Sequence, residues 1–124
     1  YKYKDFFLKI SNIINKKIEF LLPESKTNPS YNLFVLKLEK NFNIHKVIEH
    51  FLKKSIRLQI HYKPIYKFNN FKKINKKMEF LNSEKYYNCA ISIPIHPSLT
   101  NKEFKYVCDQ FKIFFTANNK LLYK

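Results

Sequence analysis

Eight consecutive residues concentrate the polar chemistry of this 124-residue chain: Gln59-Ile60-His61-Tyr62-Lys63-Pro64-Ile65-Tyr66. Alternate side chains of a strand share a face, so Arg57, Gln59 and His61 would point one way and Leu58, Ile60 and Tyr62 the other. An amide, an imidazole and a phenol at a strand end that runs into a proline-broken loop can hold a polar ligand by hydrogen bonds. The same pattern also fits an edge strand whose polar face meets water.

Other chemistries are excluded by what is scarce. The chain has no glycine, so no glycine-rich phosphate cradle or nucleophile elbow can be written in it. Asp5 and Asp109 are its only aspartates, which disfavours a paired general acid and base. Cys89 and Cys108 lack CxxC spacing, and His45, His50, His61 and His96 form no metal-ligand pattern. His96, before Pro97, reads as a turn residue, and the two cysteines as thiols in a reducing cytoplasm. No uncharged apolar run is long enough to span a bilayer, so no membrane partner is expected. The chain opens on Tyr1-Lys2-Tyr3, with neither methionine nor a secretory pattern, and is expected to be a fragment of a longer protein.

A net charge of +15 raises the alternative of a basic nucleic-acid-binding module. Composition offers a plainer origin. Lys, Asn, Ile, Phe and Tyr fill 73 of the 124 positions, and all five have A/T-rich codons. Arginine, whose planar fork suits base and phosphate readout, occurs once, at Arg57. The charge therefore reads as a diffuse, solvated lysine surface with no specific nucleic-acid partner. Without glycine, the positive-φ positions at turns are expected to fall to asparagine: Asn28, Asn41, Asn43, Asn69-Asn70 and Asn118-Asn119.

The elements that would position the cluster follow from periodicity. Tyr3, Phe6, Phe7, Ile10, Ile13 and Ile14 mark an uncapped amphipathic helix over 3–14. An apolar run, Ile18 to Leu22, leads to Pro23 and a polar joint. Tyr31–Leu38 is a strand buried on both faces. Asn43 caps a helix with the stripe Ile44, Val47, Ile48, Phe51 and Leu52, ending near Ser55. Arg57–Lys63 is the next strand, stopped by Pro64. Residues 65–81 read as a long lysine-rich loop with a helical turn. A short helix follows from Asn82 to Ala90, then a strand at Ile91–Pro94. Thr100 and Glu103 form a capping box, with Leu99 and Phe104 at the staple positions, on a last helix whose stripe is Phe104, Val107, Cys108, Phe111 and Phe115. The sum is an α+β layer of about three strands, separated by helices without hairpin signals and covered by helices on one face.

The runs Gln59–Tyr66, Ser83-Glu84-Lys85-Tyr86-Tyr87, Ala90-Ile91-Ser92-Ile93-Pro94 and His96-Pro97-Ser98-Leu99-Thr100 resemble the carboxyl-terminal part of the DegT/DnrJ/StrS aminotransferases, from Tyr31 to Phe115 in order. The resemblance implies the small carboxyl-terminal domain of a fold-type I enzyme that uses pyridoxal 5'-phosphate (PLP) on nucleotide-linked keto-sugars. It implies the end of an entering helix at 1–17, the small domain at 18–117 and a frayed tail at 118–124. Gln59, Ile60, His61 and Tyr62 fall on the substrate-contacting stretch. The Schiff-base lysine, the aspartate for the pyridinium nitrogen and the phosphate ligands would belong to a larger amino-terminal domain. This chain by itself is then expected to bind no cofactor, to carry no catalytic residue and to be inactive. The intact enzyme would be a homodimer using a nucleotide-sugar and glutamate. The family commonly places glycine near Ser55-Ile56-Arg57, so that turn is expected to be either more strained or simply drifted.

Overall fold

The computed structural model describes residues 2–14, 18–21, 27, 30–72 and 80–117. Five helices are assigned among them: α1 (Lys2–Ile14), α2 (Ile44–Leu52), α3 (Asn69–Lys72), α4 (Leu81–Tyr87) and α5 (Asn101–Thr116). Three strands, β1 (Glu19–Leu21), β2 (Phe34–Lys37) and β3 (Ala90–Ile93), form an antiparallel sheet in the order β1-β2-β3. A 3-10 turn at Ile65–Lys67 precedes α3. The expected tail 118–124, Asn28, Asn118-Asn119 and the middle of the lysine-rich stretch lie outside the described residues.

The register of β2 on β3 pairs Phe34 with Ile93, Val35 with Ser92 and Leu36 with Ile91. Directly opposed residues share a face, so Phe34, Leu36, Ile91 and Ile93 turn to one side and Val35 and Ser92 to the other. The first set joins a core completed by Tyr3, Phe7 and Ile10 of α1, Val47 and Phe51 of α2, and Val107, Phe111 and Phe114 of α5. Phe111 is the hub, meeting Phe7 edge to face at 5.4 Å and Phe51 at 4.4 Å, so a single ring ties α1, α2 and α5 together. Rings in such orientations gain about 0.5–1.5 kcal/mol per pair beyond their area burial. Cys108 is buried in the same cluster; desolvation, with Asp109 nearby, pushes its thiol up to about 12. It is not joined to Cys89 in a disulfide.

The two helix caps read from the sequence, at Asn43 and Thr100, are built as expected, whereas α4 starts at Leu81, one residue before the expected Asn82, with no side-chain cap. The Asn43 side chain accepts from the backbone N–H groups of His45 and Lys46. The Thr100 hydroxyl accepts from Glu103 N–H at 3.2 Å while the Glu103 carboxylate accepts from Thr100 N–H at 2.8 Å, which satisfies donors the first helical turn cannot.

Several expectations need correction. The Arg57–Lys63 strand contracts to one bridged residue, Gln59 opposite Ser92. In that antiparallel register the next hydrogen-bonded partner of the bridge would be Pro94, which has no N–H to give, and the backbone bends at His61 on the other side. The third strand is instead β1, three residues from the apolar run, too short to show alternation; it pairs with β2 directly, so two consecutive strands are neighbours. The Tyr31–Leu38 strand begins only at Phe34, because Tyr31 has φ 51°. Helix α2 ends at Leu52, which is more than half exposed and leaves the stripe. Helix α4 ends at Tyr87, and Ala90 already belongs to β3. On α5 the buried positions are Val107, Cys108, Phe111 and Phe114, while Phe104 and Phe115 of the expected stripe are only partly covered, so the buried face is broader than that stripe. Among the described residues the positive-φ positions are Tyr31 and Ser55, not asparagines. Asn43 is extended at φ −82° and Asn69-Asn70 are helical.

Candidate ligand site

The sheet edge that carries the polar cluster is assembled from β3 outward. Gln59 donates its N–H to the Ser92 carbonyl at 3.2 Å and accepts from Ser92 N–H at 2.7 Å, so its backbone is clamped on both sides. Its side chain falls on the Ser92 face, away from the core, and two residues on His61 returns to that face. There His61 Nδ1 lies 2.8 Å from Ser92 Oγ. Ser92 is a buried hydroxyl in an otherwise apolar strand, and this hydrogen bond offsets its desolvation. With Nδ1 engaged, Nε2 is the ring nitrogen left to meet a ligand.

These groups line a cavity of about 260 Å³ together with Arg57, Asn32, His96 and the apolar residues Leu33, Ile93, Pro94 and Ile95. Its lining residues include the single arginine of the chain, two histidines, an asparagine, a glutamine and a serine. That inventory suits a ligand carrying hydroxyls and an oxyanion.

The four residues singled out in the sequence separate here. Gln59 and His61 share the polar cavity. Ile60, on the opposite face, is partly buried against the core. Tyr62 is 74% exposed and lines a second hollow, an aromatic cleft of about 510 Å³, with Pro64, Ile65, Tyr66, Phe80, Asn82, Ser83 and Tyr86. His96 makes the expected turn, its carbonyl accepting from Leu99 N–H, yet its side chain also lines the polar cavity. Ser92 was not singled out; its signal was a lone hydroxyl within Ala90-Ile91-Ser92-Ile93.

Behind the cleft, Glu84 of α4 accepts from the Tyr66 hydroxyl on Oε1 and from the Lys67 ammonium on Oε2, both at 2.8 Å. These bonds, Lys67's first, hold the Glu84 carboxyl below the usual carboxylate range. Desolvation and the Glu84 charge push the Tyr66 phenol up to about 12. Lys67 also lies 4.6 Å from the centre of the Tyr87 ring, a cation–π contact.

The chain belongs to the DegT/DnrJ/EryC1/StrS aminotransferase family, whose sequence profile matches residues 10–112. It is similar to the UDP-4-amino-4,6-dideoxy-N-acetyl-beta-L-altrosamine transaminase of Campylobacter jejuni, 33% identical over 82 residues, covering 64% of this chain and 22% of that protein. The Helicobacter pylori transaminase of the same name is 32% identical over 80 residues, covering 64% and 21%. The chain thus spans about a fifth of the length of these relatives. Among solved structures, Helicobacter pylori PseC, an aminotransferase involved in the biosynthesis of pseudoaminic acid, superposes with a TM-score of 0.71 at 23% identity, over 92% of this chain and 32% of that one. The PLP form of the sugar aminotransferase Spr1654 from Streptococcus pneumoniae gives 0.71 at 21% identity, over 92% and 30%. The structural likeness establishes the fold, a helix-covered three-stranded sheet of the aminotransferase type.

The described residues do not fit PLP. A Schiff-base lysine must be desolvated beside the cofactor, and no lysine whose side chain is described is buried; Asp5 and Asp109, the only aspartates, are exposed. Among the described residues no group of three or more His, Cys, Asp or Glu could hold a metal ion, and no helix is long and apolar enough to cross a membrane. The nucleic-acid alternative gains no support from the family assignment.

Proposed function

We propose that this chain is the carboxyl-terminal substrate-recognition lobe of a PLP-dependent aminotransferase acting on a UDP-linked 4-keto-6-deoxy-sugar, and that it is inactive alone. The observation that carries the reading is the polar cavity at the sheet edge, where His61 is held by Ser92 at 2.8 Å and Gln59 is clamped by two backbone hydrogen bonds. Family membership supports the reaction class, and the names of the Campylobacter and Helicobacter relatives support the sugar class.

In this reading the cofactor and the lysine that carries it are supplied by the rest of the polypeptide, in a cytoplasmic homodimer that draws its amino group from glutamate. Gln59 and His61 orient the substrate by hydrogen bonds, and Tyr62 contacts it from the adjoining cleft. Ile60 acts from beneath by fixing the strand on the core. Positioning of this kind lowers the barrier through preorganised geometry, without any of these side chains entering the bond-breaking step. Residues 1–17, which include α1, lead into the lobe, and 18–117 make up the lobe itself.

The reading is tested by mapping amide chemical-shift changes of the 124-residue chain on titration with a UDP-linked amino sugar. Saturable changes at Gln59, His61 and Ser92 are expected. Binding that leaves those three signals unmoved would place substrate recognition elsewhere.

A further inference from the structure

The stretch that leads out of the polar cavity is fixed at its two ends and loosely held between them. At its start Gln59 is bridged to Ser92 by two backbone hydrogen bonds, and His61 Nδ1 meets Ser92 Oγ. From Ile60 to Lys63 the backbone joins no backbone–backbone hydrogen bond among the described residues. The Lys63 ammonium lies 5.0 Å from the Phe68 ring, a contact that depends on where the following turn sits. A span without ladder bonds takes its geometry from its anchors.

The far anchor is the Ile65–Lys67 turn. It closes on itself, with Lys67 N–H donating to the Pro64 carbonyl at 2.9 Å and Phe68 N–H to that of Ile65 at 3.1 Å. None of its three residues is buried, so the core does not hold it in place. Glu84, in the first turn of α4, does: Oε1 accepts from the Tyr66 hydroxyl and Oε2 from the Lys67 ammonium, both at 2.8 Å. Bonds to a charged acceptor are roughly twice as strong as neutral ones and more demanding in direction. Tyr66 stacked on Phe80 and Lys67 over the Tyr87 ring add contacts that tolerate sliding. Glu84 is itself fixed, its N–H bonded to the Phe80 carbonyl and its carbonyl to Asn88 N–H. From Asn88 the chain runs into β3, which carries Ser92. Both anchors of the span therefore belong to one continuous stretch, Glu84 in α4 and Ser92 in β3.

We propose that Glu84 is a positioning residue for ligand binding: by holding Tyr66 and Lys67 it fixes the far end of the Ile60–Pro64 span, and with it the placement of His61 and Tyr62. Glu84 acts through these residues and touches no ligand itself. This rests on the reading of the polar cavity as the ligand site.

Two measurements on the 124-residue chain test this: the dissociation constant of a UDP-linked amino sugar, and amide hydrogen exchange without ligand. They compare the unaltered chain, Glu84→Gln, Glu84→Ala and Val107→Ala, a buried position on α5, at a temperature where all four are folded. Glu84→Ala should weaken binding about fivefold, the scale of ordering one or two side chains at an interface. Glu84→Gln, which keeps an acceptor oxygen, should lose less. Val107→Ala lowers stability outside the span and should leave the constant unchanged. In the free chain, Glu84→Ala should speed exchange at Lys67 and Phe68 more than at Val47 and Phe104, whose amides report α2 and α5. Binding by all four chains with equal constants would overturn the positioning role and leave the polar-cavity reading standing. Equal losses for Glu84→Ala and Val107→Ala, or exchange raised equally at all four amides, would reduce Glu84 to a general stabiliser and overturn it too. Absence of binding by the unaltered chain would overturn the polar-cavity reading and this proposal with it.

Discussion

His61 Nδ1 and Ser92 Oγ lie 2.8 Å apart, joining a residue of the proline-broken segment to the buried strand β3. Ser92→Ala removes this anchor and leaves the two backbone bonds to Gln59 in place. We expect a stability change within about 1 kcal/mol, the net value of one neutral hydrogen bond, and a several-fold loss of affinity for a UDP-sugar as the imidazole loses its orientation. Thermal melting and calorimetric titration of the same variant separate the two effects. Unchanged affinity would show that the Ser92 contact does not position the imidazole.

Ser55 sits at φ 58°, immediately after the carbonyls of Phe51 and Leu52 have accepted from Lys54, Ile56 and Ser55. A left-handed conformation costs a residue with a Cβ about 1–2 kcal/mol, partly offset by the greater chain entropy glycine would lose. Ser55→Gly should therefore raise stability by roughly 0.5–1 kcal/mol, read as a higher melting temperature, whereas Ser55→Ala should give no gain. A lower melting temperature for the glycine variant would contradict the strain.

Phe111 bridges α1 and α2 through Phe7 and Phe51 and is fully buried. Phe111→Ala should destabilise by about 3–5 kcal/mol, and Phe104→Ala by clearly less because that ring is only partly covered. Denaturant midpoints of the two variants at constant slope give the comparison. Equal losses would mean the core is not organised around Phe111.

The Glu84 carboxyl is held below its ordinary range by Lys67 and Tyr66. A depressed carboxyl contributes stability that is present above the unfolded-state value and is lost as pH falls through the folded one. Glu84→Gln should thus lower the melting temperature at neutral pH, and the difference from the unaltered chain should close on acidification below the ordinary carboxylate range. Tyr66, pushed up to about 12, adds the opposite limb: its contribution fades as pH rises from 10 towards that value. A melting difference that stays constant through the acid range would exclude the ionised Glu84 network.

Much of this was legible in the sequence, and what was not has local causes. The capping box at Thr100 and Glu103, the Asn43 cap and the apolar faces of α1 and α2 are written within single turns of helix, so spacing alone reveals them. The Gln59–Tyr62 run was legible as a cluster but not as a strand, since whether the ladder extends depends on Pro94 across the bridge. Alternation already set Gln59 and His61 apart from Ile60 and Tyr62, but parting the exposed Tyr62 from the core-packed Ile60 required knowing where the backbone bends. β1 is three residues long and owes its pairing to β2, a partner no local pattern names. The positive φ at Ser55 was foreshadowed by the resemblance through the expected glycine, while that at Tyr31 had no signal.

The most direct test of substrate recognition at this sheet edge is the dissociation constant of a UDP-linked amino sugar for the unaltered chain, for His61→Ala and for Lys105→Ala, a remote position on α5 paired with Asp109. We predict a rise of about tenfold for His61→Ala, the scale of one lost ligand hydrogen bond of the stronger kind, and no change for Lys105→Ala. Equal constants for the unaltered chain and His61→Ala would contradict the assignment of the polar cavity.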